Sequence, residues 1–176
     1  MRQNEVFGDF RGIHLAAAKP SVALMTKDAL DGAEAPEGLS ERERAAFVGV
    51  ERRYVRLEGN ELVVSIHLSR PLAEGVQASI YVFGYRADRP FGQMAKVHIQ
   101  VGELSCAAYD QTTRLARPSV SVTRQPRRIE VRIPLETMEN PQRILTSART
   151  YLGELPLDWA AWRTLELSPA VKTAGR

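Results

Sequence analysis

The sequence predicts an all-β fold: a single antiparallel, jelly-roll-like β-sandwich of about eight to ten strands, with an irregular N-terminal arm and at most short helical turns. Three observations carry this expectation. Residues 128–133 alternate Ile129, Val131 and Ile133 with Arg128, Glu130 and Arg132, the period of two that marks a strand with one buried and one wet face. The same alternation returns in Leu62, Val64, Ile66 and Leu68 and again in Ala95, Val97, Ile99 and Val101, with turn residues between the runs. The 176 residues are 44% hydrophobic and 26% charged, enough apolar mass for one core and too little charge for a disordered chain.

Taken in order, residues 1–47 read as an irregular arm packing on the sandwich. Leu15 precedes the small residues Ala16, Ala17 and Ala18, residues 21–25 fit a short edge strand, and 28–38 carry the Asp, Gly, Pro and Glu of a loop. Ser40 followed by Glu43 has capping-box spacing and predicts one short helical turn. Strands at 50–57 and 62–68, joined through Gly59 and Asn60, form a hairpin. In 76–85, Val76, Ala78, Ile80 and Val82 oppose Tyr81, Phe83 and Tyr85, so both faces are apolar and the strand is central. A loop rich in Gly, Arg and aromatic residues follows at 84–94, then a strand at 95–101 and further strands near 104–109 and 119–123. After 129–133 come a second extended segment at 144–152 and a closing run at 163–167. Trp159 and Trp162, three apart, are expected on one side of a helical turn that plugs the end of the sandwich. The sandwich proper spans 48–167, and 168–176 is a frayed tail.

Net charge is +3 and the sequence pI about 9.2, which permits an anionic partner without requiring one. Only Lys19, Lys27, Lys96 and Lys172 of the 24 basic residues are lysine. Arginine suits two-point contacts to carboxylate or phosphate, and its dominance is also what a biased genome gives. Cys106 is the single cysteine, so no intramolecular disulfide forms; with no Cys/His metal spacing around it, it reads as a small core residue. No apolar leader run stands at the N-terminus and no stretch approaches the ~20 apolar residues of a membrane helix. The expectation is a soluble, cytoplasmic protein with no membrane partner, provided the chain is not cut from a larger exported one.

The run from Ile129 through Pro134 to Glu136, the extended segment after it, and Leu157, Asp158 and Trp159 with Trp162, Arg163 and Leu167 resemble the closing half of sandwich domains related to DOMON and to family 9 carbohydrate-binding modules. Phe83, Gly84, Tyr85 and Arg86 with Pro90 and Phe91 resemble, in particular, the accessory sandwich that accompanies bacterial PIG-L-type (LmbE-like) sugar N-deacetylases. The likeness covers residues 60–167 and lies in apolar spacing. It implies a non-catalytic domain whose partner is a glycan or an enzyme such as a sugar deacetylase. The deacetylase metal motif, a histidine followed by Pro and consecutive aspartates, is absent: His14 precedes Leu15, His67 precedes Leu68 and His98 precedes Ile99.

The chemical candidates point the same way. Three scattered histidines offer no HxH or HExxH spacing for zinc. Haem-binding members of the related sandwich use Met and His ligands, but Met94 reads as packing and His98 as part of a polar strand face. No Gly-x-Ser-x-Gly elbow is present, and Asp88, Glu103, Asp110 and Asp158 carry no context that marks a carboxylate pair. No catalytic residue, metal or cofactor is therefore assigned. A glycan platform needs aromatic faces beside polar groups that donate and accept hydrogen bonds. Tyr81 and Phe83 read as core, and the expected ligand-binding set is Tyr85, Arg86, Asp88, Arg89 and Phe91 in the loop, with His98 on the next strand. A protein-docking domain is the alternative. A weaker one is an anionic polymer or nucleic acid held by Arg114, Arg117, Arg124, Arg127, Arg128 and Arg132, among which Glu130 is the sole acid; no alternation of basic and aromatic residues accompanies them.

Overall fold

The computed structural model of the chain describes residue 35 and residues 37–116 and 119–167. The expected edge strand at 21–25, His14, most of the N-terminal arm, Arg117 and the tail 168–176 lie outside the described residues. Within them the chain runs through α1 (Glu41–Ala46), β1 (Val50–Glu58), β2 (Glu61–Leu68), β3 (Val76–Tyr85), β4 (Lys96–Gly102), β5 (Cys106–Asp110), β6 (Thr113–Arg114), β7 (Ser121–Gln125), β8 (Arg128–Pro134), β9 (Arg143–Leu152) and β10 (Leu155–Glu166). Short 3-10 turns at Phe91–Gln93 and Leu135–Met138 interrupt the loops. Two sheets result, one of four strands in the order β1-β2-β8-β7 and one of six in the order β10-β9-β3-β4-β5-β6, every pair antiparallel. The all-β sandwich predicted from the alternating runs is the fold.

The alternation decides which side of each sheet is buried. Leu62, Val64, Ile66 and Leu68 on β2 and Ile129, Val131 and Ile133 on β8 turn inward against Ile80, Val82, Val97 and Ile99 of the other sheet. Each fully buried side chain of this size contributes about 1.5–3 kcal/mol relative to exposure. The single helical turn ahead of this core is the expected one: Ser40 caps α1 by accepting from the Glu43 amide at 3.3 Å, while Glu43 accepts from the Ser40 amide at 2.7 Å. Gly59 and Gly153, both at φ +59°, open the two-residue turns of the β1–β2 and β9–β10 hairpins, where a positive φ is needed.

The closing strand departs from expectation. Trp159 and Trp162 lie within β10, a strand of 12 residues, and no helical turn forms there. Adjacent strand residues point to opposite faces, so two tryptophans three apart would normally be split. A bulge prevents this: Ala160 pairs with Ala148 and Arg163 with Thr146, leaving Ala161 and Trp162 opposite Ser147 alone. Ala160 stays in the core, and Trp159 and Trp162 both reach the outer face of the six-stranded sheet. The expected strand near 104–109 also begins later, at Cys106, so Leu104 lies in the preceding turn and is 90% exposed. Cys106 is exposed, which corrects its reading as core: it opens β5 at the end of the sheet, opposite Val101 and one residue from the Gly102–Ser105 turn.

Candidate functional site

The outer face of the six-stranded sheet is where the chain gathers aromatic and polar side chains. The register lays them in rows across the strands. Trp159, Arg149, Ser79 and Gln100 form one row; Ser147, Tyr81, His98 and Tyr109 form the next; Leu145, Phe83 and Lys96 form a third. Alternation on β3, β4 and β9 places them all on the side away from the main core. Tyr81, Phe83, Met94 and Leu145 make a second hydrophobic cluster there, with Tyr85 and Trp162 packed against it, so Tyr81 and Phe83 are core residues of this outer layer.

Tyr81 and His98 stack face to face, ring centroids 4.5 Å apart and planes 9° apart. The Tyr81 hydroxyl lies 3.2 Å from that of Tyr151, and the Arg149 guanidinium sits between the Tyr81 and Trp159 rings at 5.8 and 5.5 Å. Trp159 donates its indole N–H to Ser147 Oγ at 3.0 Å, which in turn donates to the Ala160 carbonyl at 2.8 Å, so the ring is held in place while half of it faces solvent. His98 is fully buried, not on a wet strand face as its neighbours in sequence suggested. Neither ring nitrogen has a hydrogen-bond partner, and burial holds its pKa down to about 4. The sequence could not show this, because the ring stacked on His98 is that of Tyr81, on the neighbouring strand β3.

The 85–91 loop stands at the lower end of this face. Lys96, buried, donates through Nζ to the Phe91 carbonyl at 2.5 Å and to the Met94 carbonyl at 3.1 Å, and its ammonium lies 4.5 Å from the Phe91 ring centroid. Desolvation pushes the Lys96 pKa down, opposed by the charge of Asp110. Phe91 packs on Phe83 at 5.3 Å and remains 41% exposed; Tyr85 lies under the Arg143 guanidinium at 5.6 Å, which pairs with Glu166 at 2.8 Å. The charged loop residues turn the other way. Arg86 donates to both Asp88 carboxylate oxygens, at 2.9 and 2.6 Å, and to the Glu139 carbonyl at 2.6 Å. The Arg86 hydrogen bond holds the Asp88 carboxyl below the usual range. Arg89 pairs with the Glu139 carboxylate, and Gln142 accepts from the Ala87 amide at 2.9 Å. Of the expected set the structure thus brings Tyr85, Phe91 and His98 to one face, whereas Arg86, Asp88 and Arg89 act as struts that fasten the loop to the 139–142 segment. Trp159, Trp162, Arg149 and Tyr151, which sequence reasoning did not select, join that face; alternation of Leu145, Ser147, Arg149 and Tyr151 was the available signal.

Of the described arginines of the cluster, Arg114 lies on β6 of the six-stranded sheet, whereas Arg124, Arg127, Arg128 and Arg132 lie on or beside β7 and β8 of the other sheet. Arg128 and Arg132 point outward on β8 as expected, and Glu130 between them accepts from Arg128 at 2.7 Å and from Arg132 at 3.0 Å, with Arg56 at 3.6 Å. Desolvation raises the Glu130 pKa, but the Ser65 hydroxyl and the Arg132 guanidinium outweigh it and hold the carboxyl low. Glu58 takes a further bond from Arg132 at 2.6 Å, and Glu51 pairs with Arg127 at 3.0 Å. Arg124 donates to the Gly102 and Glu103 carbonyls at 2.5 and 2.6 Å, on the wall of a groove of about 190 Å³ beside Pro71, Leu72 and Pro126. Glu130 within the cluster, joined by Glu51 and Glu58 from β1, therefore supplies counter-charge to Arg127, Arg128 and Arg132.

Among the described residues no group of three His, Cys, Asp or Glu side chains is placed to hold a metal ion, and no helix is long and apolar enough to cross a membrane. No protein-family model, no curated protein and no solved structure matches this chain.

Proposed function

We propose that this sandwich is a non-catalytic carbohydrate-binding or enzyme-accessory module, and that its ligand lies along the outer face of the six-stranded sheet. One observation carries the reading: Trp159, Tyr151, Tyr109 and Trp162, all at least partly exposed, surround the polar side chains of Arg149, Gln100 and Gln77 on one rigid sheet. Sugars offer apolar ring faces edged by hydroxyls, and aromatic faces beside fixed donors and acceptors are the complementary surface. Trp159 is held by Ser147, so little conformational entropy is lost at that ring when a sugar stacks on it. The resemblance to the accessory sandwich of sugar deacetylases agrees with this reading, with such an enzyme as the partner in the accessory role.

The test is a glycan array and a nucleic-acid panel, each read at two salt concentrations. Binding by aromatic stacking changes little with salt, whereas binding of a polyanion falls steeply. Trp159→Ala is expected to weaken glycan binding by about 1 kcal/mol or more, since a few aromatic residues usually dominate an interface. Arg128→Ala is expected to leave it unchanged. Salt-sensitive nucleic-acid binding lost in Arg128→Ala, with no glycan bound, overturns the proposal.

A further inference from the structure

Two polar side chains on the outer face of the six-stranded sheet are closed to solvent and lack any hydrogen-bond partner: His98, at both Nδ1 and Nε2, and Ser79, at Oγ. Leaving a buried donor or acceptor unpaired costs roughly 1–3 kcal/mol, which is why native proteins keep few of them. The two belong together in space. Tyr81 pairs with His98 and Ser79 with Gln100, so Ser79 and His98 are diagonal neighbours across β3 and β4, roughly 7–8 Å apart. One ligand ring is large enough to address both.

The chemistry of that ligand follows from what the two groups lack. A neutral imidazole offers one N–H donor and one acceptor nitrogen, and a serine hydroxyl both donates and accepts. An ionised carboxylate only accepts and an ammonium only donates, so either leaves one imidazole nitrogen unpaired. Hydroxyl groups donate and accept and can satisfy all of them. The cations nearby are engaged elsewhere: Lys96 by the Phe91 and Met94 carbonyls, and Arg149 by the rings of Tyr81 and Trp159. We infer that His98 and Ser79 form the floor of a subsite for an uncharged, polyhydroxylated sugar ring, whose hydroxyls pair with the imidazole and the serine. The inference rests on the glycan reading above and narrows it to neutral sugars. Because both groups are buried, the ring reaches them only when side chains of the face move aside, and association is correspondingly slow.

The test is calorimetric titration of the full chain with neutral hexasaccharides of glucose, mannose and N-acetylglucosamine, and with an oligogalacturonate of the same length. Wild type is compared with His98→Phe and Ser79→Ala. His98→Phe keeps a ring that can stack on Tyr81 and removes both unpaired nitrogens, so its thermal stability is expected to hold or rise. The expected result is that at least one neutral hexasaccharide binds wild type, at least tenfold more weakly to His98→Phe and several-fold more weakly to Ser79→Ala. Equal binding of that sugar by all three proteins, or binding of the oligogalacturonate alone, overturns the inference and leaves the glycan reading standing. Folded wild-type protein that binds no sugar at all removes both. Should His98→Phe fail to fold, Ser79→Ala decides: weakened binding supports the subsite, unchanged binding overturns it.

Discussion

Arg53 on β1 donates to the carbonyl of Ala161 on β10 at 2.8 Å, across the edge where the two sheets meet. The same guanidinium donates to the Thr146 carbonyl at 2.9 Å and is 1% exposed. The Ala161 carbonyl is available because the bulge that re-aims Trp162 takes it out of the β9–β10 ladder. One irregularity therefore shapes the outer face and closes the sandwich at that edge. Asp158 adds a second tie, accepting from the Val50 amide at 2.6 Å.

Removing the arginine leaves those carbonyls buried without their donor. Arg53→Ala is expected to lower unfolding stability by roughly 3 kcal/mol in urea titrations. Arg53→Lys, which cannot span both carbonyls with a planar fork, should recover only part of it.

His98 makes stability depend on acid. Its folded pKa is near 4, below the unfolded value of about 6.5, so between these pH values the unfolded chain binds the extra proton. This penalty on the folded state is absent above about pH 6.5 and grows as the pH falls toward 4, amounting to roughly 3 kcal/mol. Urea unfolding at pH 7 and pH 4.5 is expected to show a smaller drop for His98→Phe than for wild type. Carboxylates act on both proteins alike, so the difference isolates the imidazole.

Lys96 fastens the aromatic loop. Lys96→Met removes the donor to the Phe91 and Met94 carbonyls and is expected to cost about 1–2 kcal/mol. The amides of Gln93 and Met94, which donate to Pro90 and Phe91, should then exchange with deuterium faster while those in the centre of β3 do not.

Glu130 masks the basic face of the four-stranded sheet. Glu130→Ala frees Arg128 and Arg132 from their shared counter-charge, and the variant is expected to elute from heparin at higher salt than wild type. Identical elution would mean that Glu58 and Glu61, which also pair with Arg132, suffice to neutralise it.

The sandwich was legible in the sequence because its signal is local. Ile129, Val131 and Ile133 alternate with charged residues, and Gly59 marks a turn whatever the rest of the chain does. The capping box at Ser40 and Glu43 is equally local, and it formed as read. The burial of Tyr81 and Phe83 followed from an apolar strand with two covered faces.

The site was only partly legible. Tyr85, Phe91 and His98 were selected and share a face, but Arg86, Asp88 and Arg89 were selected as ligand groups and turned out to bind one another and Glu139. Glu139 lies about fifty residues along the chain, and no spacing rule announces that contact. Sequence by itself determined the period of each strand, the turns and hence the sandwich, since these depend on neighbours a few residues apart. Only the tertiary structure decided that a bulge in β10 puts both tryptophans on one face, that His98 is buried against Tyr81 without a hydrogen bond, and that Glu51 and Glu58 of β1 join Glu130 in pairing with Arg127 and Arg132. Register and through-space pairing set those outcomes, and both are fixed by strands that meet only when the chain has folded.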